Sequence, residues 1–89
     1  MDSQAIRDVV LRSLDDHKAT DLVALDVRAL TDVADYMILA TGGSSRQAKA
    51  LAKYVLEDAK KAGCPYIGVE GLDEADWVLV DLVDVIVHV

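Results

Sequence analysis

Gly42-Gly43-Ser44-Ser45-Arg46 is the stretch with the first claim to chemistry. It stands between an apolar run and an amphipathic one, where backbone N–H groups and the positive end of a helix can hold an anion. An enzyme that transfers nucleotides from such a Gly-Ser turn also needs paired carboxylates soon afterwards, on the next strand, to hold Mg²⁺ between phosphates. Here only Glu57 and Asp58 follow before Glu70, and Asp81 and Asp84 are separated by an expected turn. The GxxxxGKS/T spacing of a phosphate-binding loop is also missing. A turn followed by a helix cap explains the stretch better than a nucleotide site.

The remaining reactive side chains are scattered. His17 and His88 have no Cys or carboxylate at zinc-ligand spacing and read as structural. Ser13, Ser44 and Ser45 read as outer-face or capping residues, with no His and Asp constellation around them. Cys64, the single cysteine, lies between Gly63 and Pro65. One cysteine excludes an internal disulfide and a thiolate cluster, and without a neighbouring base it reads as small filler. No catalytic residue, cofactor or metal ligand is expected.

Trp77 is a different kind of candidate. It follows Asp73, Glu74 and Asp76 and precedes Val78, Leu79 and Val80. An aromatic anchor with an acidic rim has the composition of a protein-binding hot spot, although core packing explains a lone Trp equally well. The charge of the chain points the same way. Its net charge is −7, and from Ala62 onward there are six acids (Glu70, Asp73, Glu74, Asp76, Asp81, Asp84) with no Lys or Arg. Such a field opposes wrapping by nucleic acid and favours a basic partner. Arg46, Lys49, Lys53 and Lys60 form a basic stripe, but Glu57 interrupts it and a solvated helix face accounts for it.

The elements that must position these residues follow from periodicity. Residues 3–17 predict an amphipathic helix with Ser3 at its cap and Ile6, Val9, Val10 and Leu14 facing inward. Residues 22–27 and 36–41 read as strands. A long helix runs from the Gly-Ser turn to about Ala62, burying Ala48, Leu51, Ala52, Val55 and Ala59, and Gly63 and Pro65 stop it. Three short strands complete the chain at 66–69, 77–81 and 84–89, the last two joined so tightly that they form an antiparallel hairpin. The fold class is α/β: a mixed five-stranded sheet with two helices, in a single domain of 89 residues. No apolar run is long enough to span a membrane, and the Met1-Asp2-Ser3 opening is no targeting segment, so a cytoplasmic protein is expected.

Two helices cover only one face of five strands, and a sheet with one wet face should alternate apolar and polar residues. Trp77-Val78-Leu79-Val80 and Val85-Ile86-Val87-His88-Val89 are apolar on both faces instead. Another helix, a second copy or a partner protein must cover the second face.

Several stretches in order extend this reading: Asp26-Val27, Asp35-Tyr36-Met37-Ile38-Leu39-Ala40-Thr41-Gly42, Ser44-Ser45-Arg46-Gln47, Gly68-Val69-Glu70-Gly71, Asp76-Trp77-Val78-Leu79-Val80-Asp81 and Asp84-Val85-Ile86-Val87-His88-Val89. Together they resemble the ribosomal silencing factor (Iojap-like) family across nearly the whole chain. The resemblance implies a nucleotidyltransferase-like fold without chemistry. It also implies binding to the large ribosomal subunit through ribosomal protein number fourteen, a basic partner, with joining of the small subunit blocked sterically and translation repressed. Carried onto this chain, the partner surface centres on Trp77, with Asp76, Leu79, Val80 and Leu82 beside it and Glu70 and Gly71 adjoining. The family also tends to dimerise. Two departures stand out: Val83 occupies the turn where the family usually has Gly, and the family's C-terminal helical segment is expected to be missing after Val89. The competing readings are a minimal nucleotidyltransferase-like nucleotide-binding protein and a generic acidic adaptor.

Overall fold

The order of elements is α1 (Ser3–Asp16), β1 (Thr20–Asp26), β2 (Tyr36–Thr41), α2 (Ser45–Lys61), β3 (Gly68–Glu70), β4 (Leu79–Asp81) and β5 (Val85–His88) in the computed structural model, which describes residues 2–65, 68–71 and 77–89. The strands form one mixed sheet in the order β1-β2-β5-β4-β3. Its central pair, β2 and β5, runs parallel, and the other three pairs are antiparallel. The β4–β5 hairpin and the two-helix α/β class agree with the sequence. Tyr66 and Ile67, expected to open the third strand, lie outside the described residues.

Each helix is framed by its own side chains. The cap of α1 is Asp2 rather than Ser3: its carboxylate accepts from Ala5 N at 2.8 Å. Such a bond is worth about 1 kcal/mol. Both helices end in the same way. Lys18 takes φ 65° after α1 and Gly63 takes φ 80° after α2. The next amides then reach back into the last turn, Ala19 N to Leu14 O and Cys64 N to Ala59 O, each at 2.9 Å. This places Cys64 as buried filler beside the end of α2, and burial pushes its thiol up from the ordinary range, away from the reactive thiolate.

The core lies between the helices and one face of the sheet. Ile6, Val10 and Leu14 of α1 and Leu51 and Val55 of α2 meet Tyr36, Ile38, Val80, Leu82, Val85 and Val87, all nearly or fully buried. Ser13, expected on the outer face, is buried too, and its Oγ has no hydrogen-bond partner. It falls on the inward stripe seven residues after Ile6, so helical periodicity places it inside despite its hydroxyl.

The β4–β5 turn carries the backbone strain that Val83 implies. Asp84 N donates to Leu82 O at 2.9 Å around Val83, whose φ is 71°. Asp81 Oδ1 braces the turn by accepting from Val83 N at 2.9 Å. A β-branched residue in the left-handed region is strained by roughly 1–2 kcal/mol. Val83→Gly is therefore expected to stabilise the fold by about 1 kcal/mol and raise Tm by about 4–8 °C in thermal unfolding, with the larger backbone freedom of glycine already subtracted. An unchanged or lower Tm would mean that the turn tolerates Val83 without strain.

Candidate functional site

Cross-strand partners share a face of a pleated sheet, so the register sorts every strand residue. One row runs Leu25, Met37, Ile86, Asp81 and Gly68 across all five strands. The next runs Val23, Leu39, His88, Leu79 and Glu70. Both rows lie on the face turned away from the helices, because the alternating residues Tyr36, Ile38, Val80, Val85 and Val87 are buried beneath α1 and α2. Trp77 joins this open face. Its indole meets the exposed His88 ring edge-on, with centroids 5.9 Å apart.

The face is apolar toward β1 and acidic toward β3. Val23, Leu25 and Trp77 are 45%, 41% and 42% exposed, so apolar side chains stand open on this face. At the other edge stand Asp81 and the exposed Glu70, and neither row contains a Lys or Arg. Among the described residues no element covers this second face, as the two-sided apolar strands imply.

Of the residues expected at the partner surface, the structure brings Trp77, Leu79, Glu70 and Gly71 together. Gly71, at φ 82°, packs directly against Trp77: a β-carbon there would overlap the Trp77 carbonyl oxygen and stand 3.0 Å from the indole ring. Val80 and Leu82 go elsewhere. Both are fully buried in the helix-facing core, since one residue's offset along a strand reverses the face. Asp76 lies outside the described residues. Sequence reasoning missed Val23, Leu25, Met37, Leu39 and Ile86, which share the face only through strand order.

The Gly-rich turn is built as a cap. Ser44 Oγ accepts from Gln47 N at 3.1 Å, and Gln47 Oε1 accepts from Gly43 N at 2.7 Å, so the groups that would hold an anion bind each other. The cavity beside the turn, about 390 Å³, is lined by Ala40, Thr41, Gly42, Ser44, Ser45, Ala48 and Val89, none of them charged. Asp84 pairs with the opposite end of β2, where its carbonyl accepts from Asp35 N at 2.7 Å. That is roughly 23 Å from Gly42, where the turn begins, at strand rise. Glycine turn and carboxylates therefore do not converge. Among the described residues no three His, Cys, Asp or Glu side chains gather, and no helix is long and apolar enough to cross a membrane.

The same far end of the sheet holds one tight ion pair. Arg28 chelates Asp26, with Nη2 to Oδ2 at 2.6 Å, and its side-chain hydrogen bonds hold the Asp26 carboxyl below the usual carboxylate range. Arg7 and Arg28 also approach the buried Tyr36 ring, at 4.9 and 5.4 Å from its centroid. These contacts tie the β1–β2 connection to α1 and are structural.

A family model described as "Ribosomal silencing factor during starvation" matches residues 1–89. A Chromobacterium violaceum protein named ribosomal silencing factor RsfS is 45% identical over 89 residues, which is all of this chain and 73% of that protein. A Haemophilus influenzae protein of the same name is 44% identical over 85 residues, 96% of this chain and 83% of its own. A crystal structure of a Chromobacterium violaceum protein superposes with a TM-score of 0.96 at 44% identity, covering 99% of this chain and 73% of that one.

Proposed function

Because the chain belongs to the ribosomal silencing factor family, we propose that it represses translation by binding the large ribosomal subunit in the cytoplasm and blocking the small subunit from joining. The partner is a basic protein of that subunit, number fourteen by the family resemblance, and the contact is made by the open sheet face. One observation carries this reading: the half-exposed Trp77 stands on an uncovered apolar face with acids along one edge. An aromatic anchor buried at the centre of an interface, ringed by charges opposite to the partner's, is how such contacts gain both affinity and orientation. Trp77, Leu79, Glu70 and Gly71 contribute directly. Val80 and Leu82 act from behind, by fixing β4 against the helices. The action is steric and involves no turnover.

Co-sedimentation with purified subunits tests the reading. The wild type is expected to pellet with the large subunit and to stay in solution with the small one. Trp77→Ala, still folded because this side chain is not in the helix-facing core, should bind at least about 2 kcal/mol more weakly, roughly 30-fold. A wild type that never pellets with the large subunit removes the reading. Capture of a different basic protein, with no affinity for the large subunit, would favour an adaptor instead.

The same face supports self-association. A second copy would cover Val23, Leu25, Leu39 and Trp77 when no ribosome is present, and hydrophobic burial drives that pairing. Sedimentation equilibrium is expected to show a concentration-dependent dimer that Leu25→Asp converts to monomer. A monomer at every concentration would assign the face to the ribosome alone.

A further inference from the structure

We infer that the outer face of α2 is a second docking surface, fitted to the phosphate backbone of ribosomal RNA. This inference rests on the ribosome-binding reading above and concerns the side of the molecule opposite to it. Helix α2 carries Arg46, Lys49, Lys53, Lys60 and Lys61 against Glu57 and Asp58, a charge of +3. The chain as a whole is −7, so everything outside α2 sums to −10. The positive charge is therefore concentrated on α2: α1 beside it carries −1, and the open sheet face holds Asp81 and Glu70 with no cation.

A solvated helix face would be expected to use its own acids. Glu57 stands four residues from both Lys53 and Lys61, the spacing at which helical ion pairs close. Neither pair does. Among the described residues the ion pairs are Arg7–Asp8, Arg12–Asp16 and Arg28–Asp26, and Arg46, Lys49, Lys53 and Lys61 take part in none. Arg46, Lys49, Lys53 and Lys61 are therefore open to a partner, and Arg46 to Lys61 spans roughly 22 Å at helical rise, enough to follow several phosphates.

An aromatic group lies among these cations. Tyr54 is 41% exposed and stacks on His17 at the end of α1, with centroids 3.7 Å apart and planes within 9°. The His17 ring is itself anchored, its Nδ1 lying 2.8 Å from Ser13 O. Tyr54 thus presents a fixed ring edge in an open groove of about 480 Å³ that Lys53, Leu56, Glu57 and Lys60 also line. Cations flanking a rigid aromatic suit a nucleic-acid strand, where phosphates take the charge and sugar or base packs on the ring. At the surface of a large subunit the abundant polyanion is RNA, whereas the protein bound by the sheet face is basic. The two faces so meet the two components with complementary sign.

The test is the salt dependence of binding to large subunits. Each lost phosphate contact lowers the slope of log K against log salt by about 0.7–0.9. The double variant Arg46→Gln with Lys53→Gln is expected to reduce the magnitude of the slope by about 1.4–1.8 relative to wild type. Arg12→Gln with Lys18→Gln, which removes two cations outside α2, should leave it unchanged. Equal slopes for wild type and the α2 variant would overturn the inference while leaving the sheet-face contact intact. Failure of the wild type to bind at any salt would instead sink the ribosome-binding reading, and this inference with it. A photocrosslinker, benzoylphenylalanine, placed at Tyr54 identifies the neighbour on the particle: crosslinks to RNA support the inference. Crosslinks to protein alone, whether an acidic partner or a second copy, overturn it.

Discussion

Gly71→Ala is expected to disable the binding face while leaving most of the fold standing. Two independent effects act at this one position. Its φ of 82° is a conformation that any side chain strains, by roughly 1–2 kcal/mol. The added methyl also has nowhere to go, because it would overlap the Trp77 carbonyl oxygen and press on the indole at 3.0 and 3.1 Å. Backbone cannot yield as a flexible side chain does, so the Trp77 segment must move. The expected result is a large-subunit affinity at least about tenfold weaker, with stability lower by about 2 kcal/mol. Trp77 is the only tryptophan, so its fluorescence and near-ultraviolet circular dichroism report its displacement directly. Gly68→Ala is the control for stability and fluorescence on the adjoining edge strand: nothing lies within 4 Å of a β-carbon there, and neither should change. Unaltered binding and fluorescence in Gly71→Ala would show that the Gly71–Trp77 packing does not hold the face.

Much of this architecture is legible in the residues because local signals and tertiary packing agree. β2 is bounded as expected at Tyr36–Thr41, and α2 begins after Ser44 and ends before Gly63 for the reasons its cap residues suggest. Where two neighbours can each do the same task, sequence alone does not choose. Asp2 and Ser3 are both good caps, and the helix starts one residue earlier than the Ser3 reading implies. At β1 the first ladder pair is Thr20 with Thr41, beyond an irregularity that Asp21 accommodates at φ 51°. Nothing in an apolar run starting at Leu22 signals that extension, because the added residues are polar and exposed.

The candidate site was legible in its anchor and illegible in its extent. Acid content and a lone Trp mark Trp77, but Met37, Leu39 and Ile86 join it only because β2 and β5 are parallel neighbours at the centre of the sheet. That pairing is non-local, with α2, β3 and β4 intervening, and no local pattern encodes it. Val80 and Leu82 show the opposite case, in which a usable signal was present. Trp77, Leu79 and Asp81 alternate with Val78, Val80 and Leu82, and only the first set contains an acid. A period of two with one charged member identifies the outward set. The run of apolar residues on both sides hid that phase.

The same phase gives Leu79 and Leu82 opposite roles, and truncating each to alanine should separate them. Leu82 is fully buried, closing the core where β4 turns into β5, with its amide donating to Val85 O at 2.9 Å. Deleting its branched end leaves a cavity among Val80, Val85 and the helices, and Leu82→Ala should cost about 3 kcal/mol. For a domain of this size that is a large share of a total of roughly 5–10 kcal/mol, and Tm should fall by about 15 °C. Leu79 faces the other way, half-buried beside His88 and Glu70 on the uncovered sheet. Leu79→Ala removes little that is enclosed, so its stability loss should stay below about 1 kcal/mol. Its cost is expected on binding instead, where the proposed partner would enclose the same side chain: affinity for the large subunit should drop by about 1 kcal/mol or more, fivefold or greater. At a temperature where Leu82→Ala remains folded, it should bind nearly as wild type. Two chemically identical truncations three residues apart thus predict crossed outcomes, stability for one and binding for the other. Uncrossed outcomes, with Leu79→Ala unfolding as readily as Leu82→Ala, would mean that something already covers the open face in the free protein.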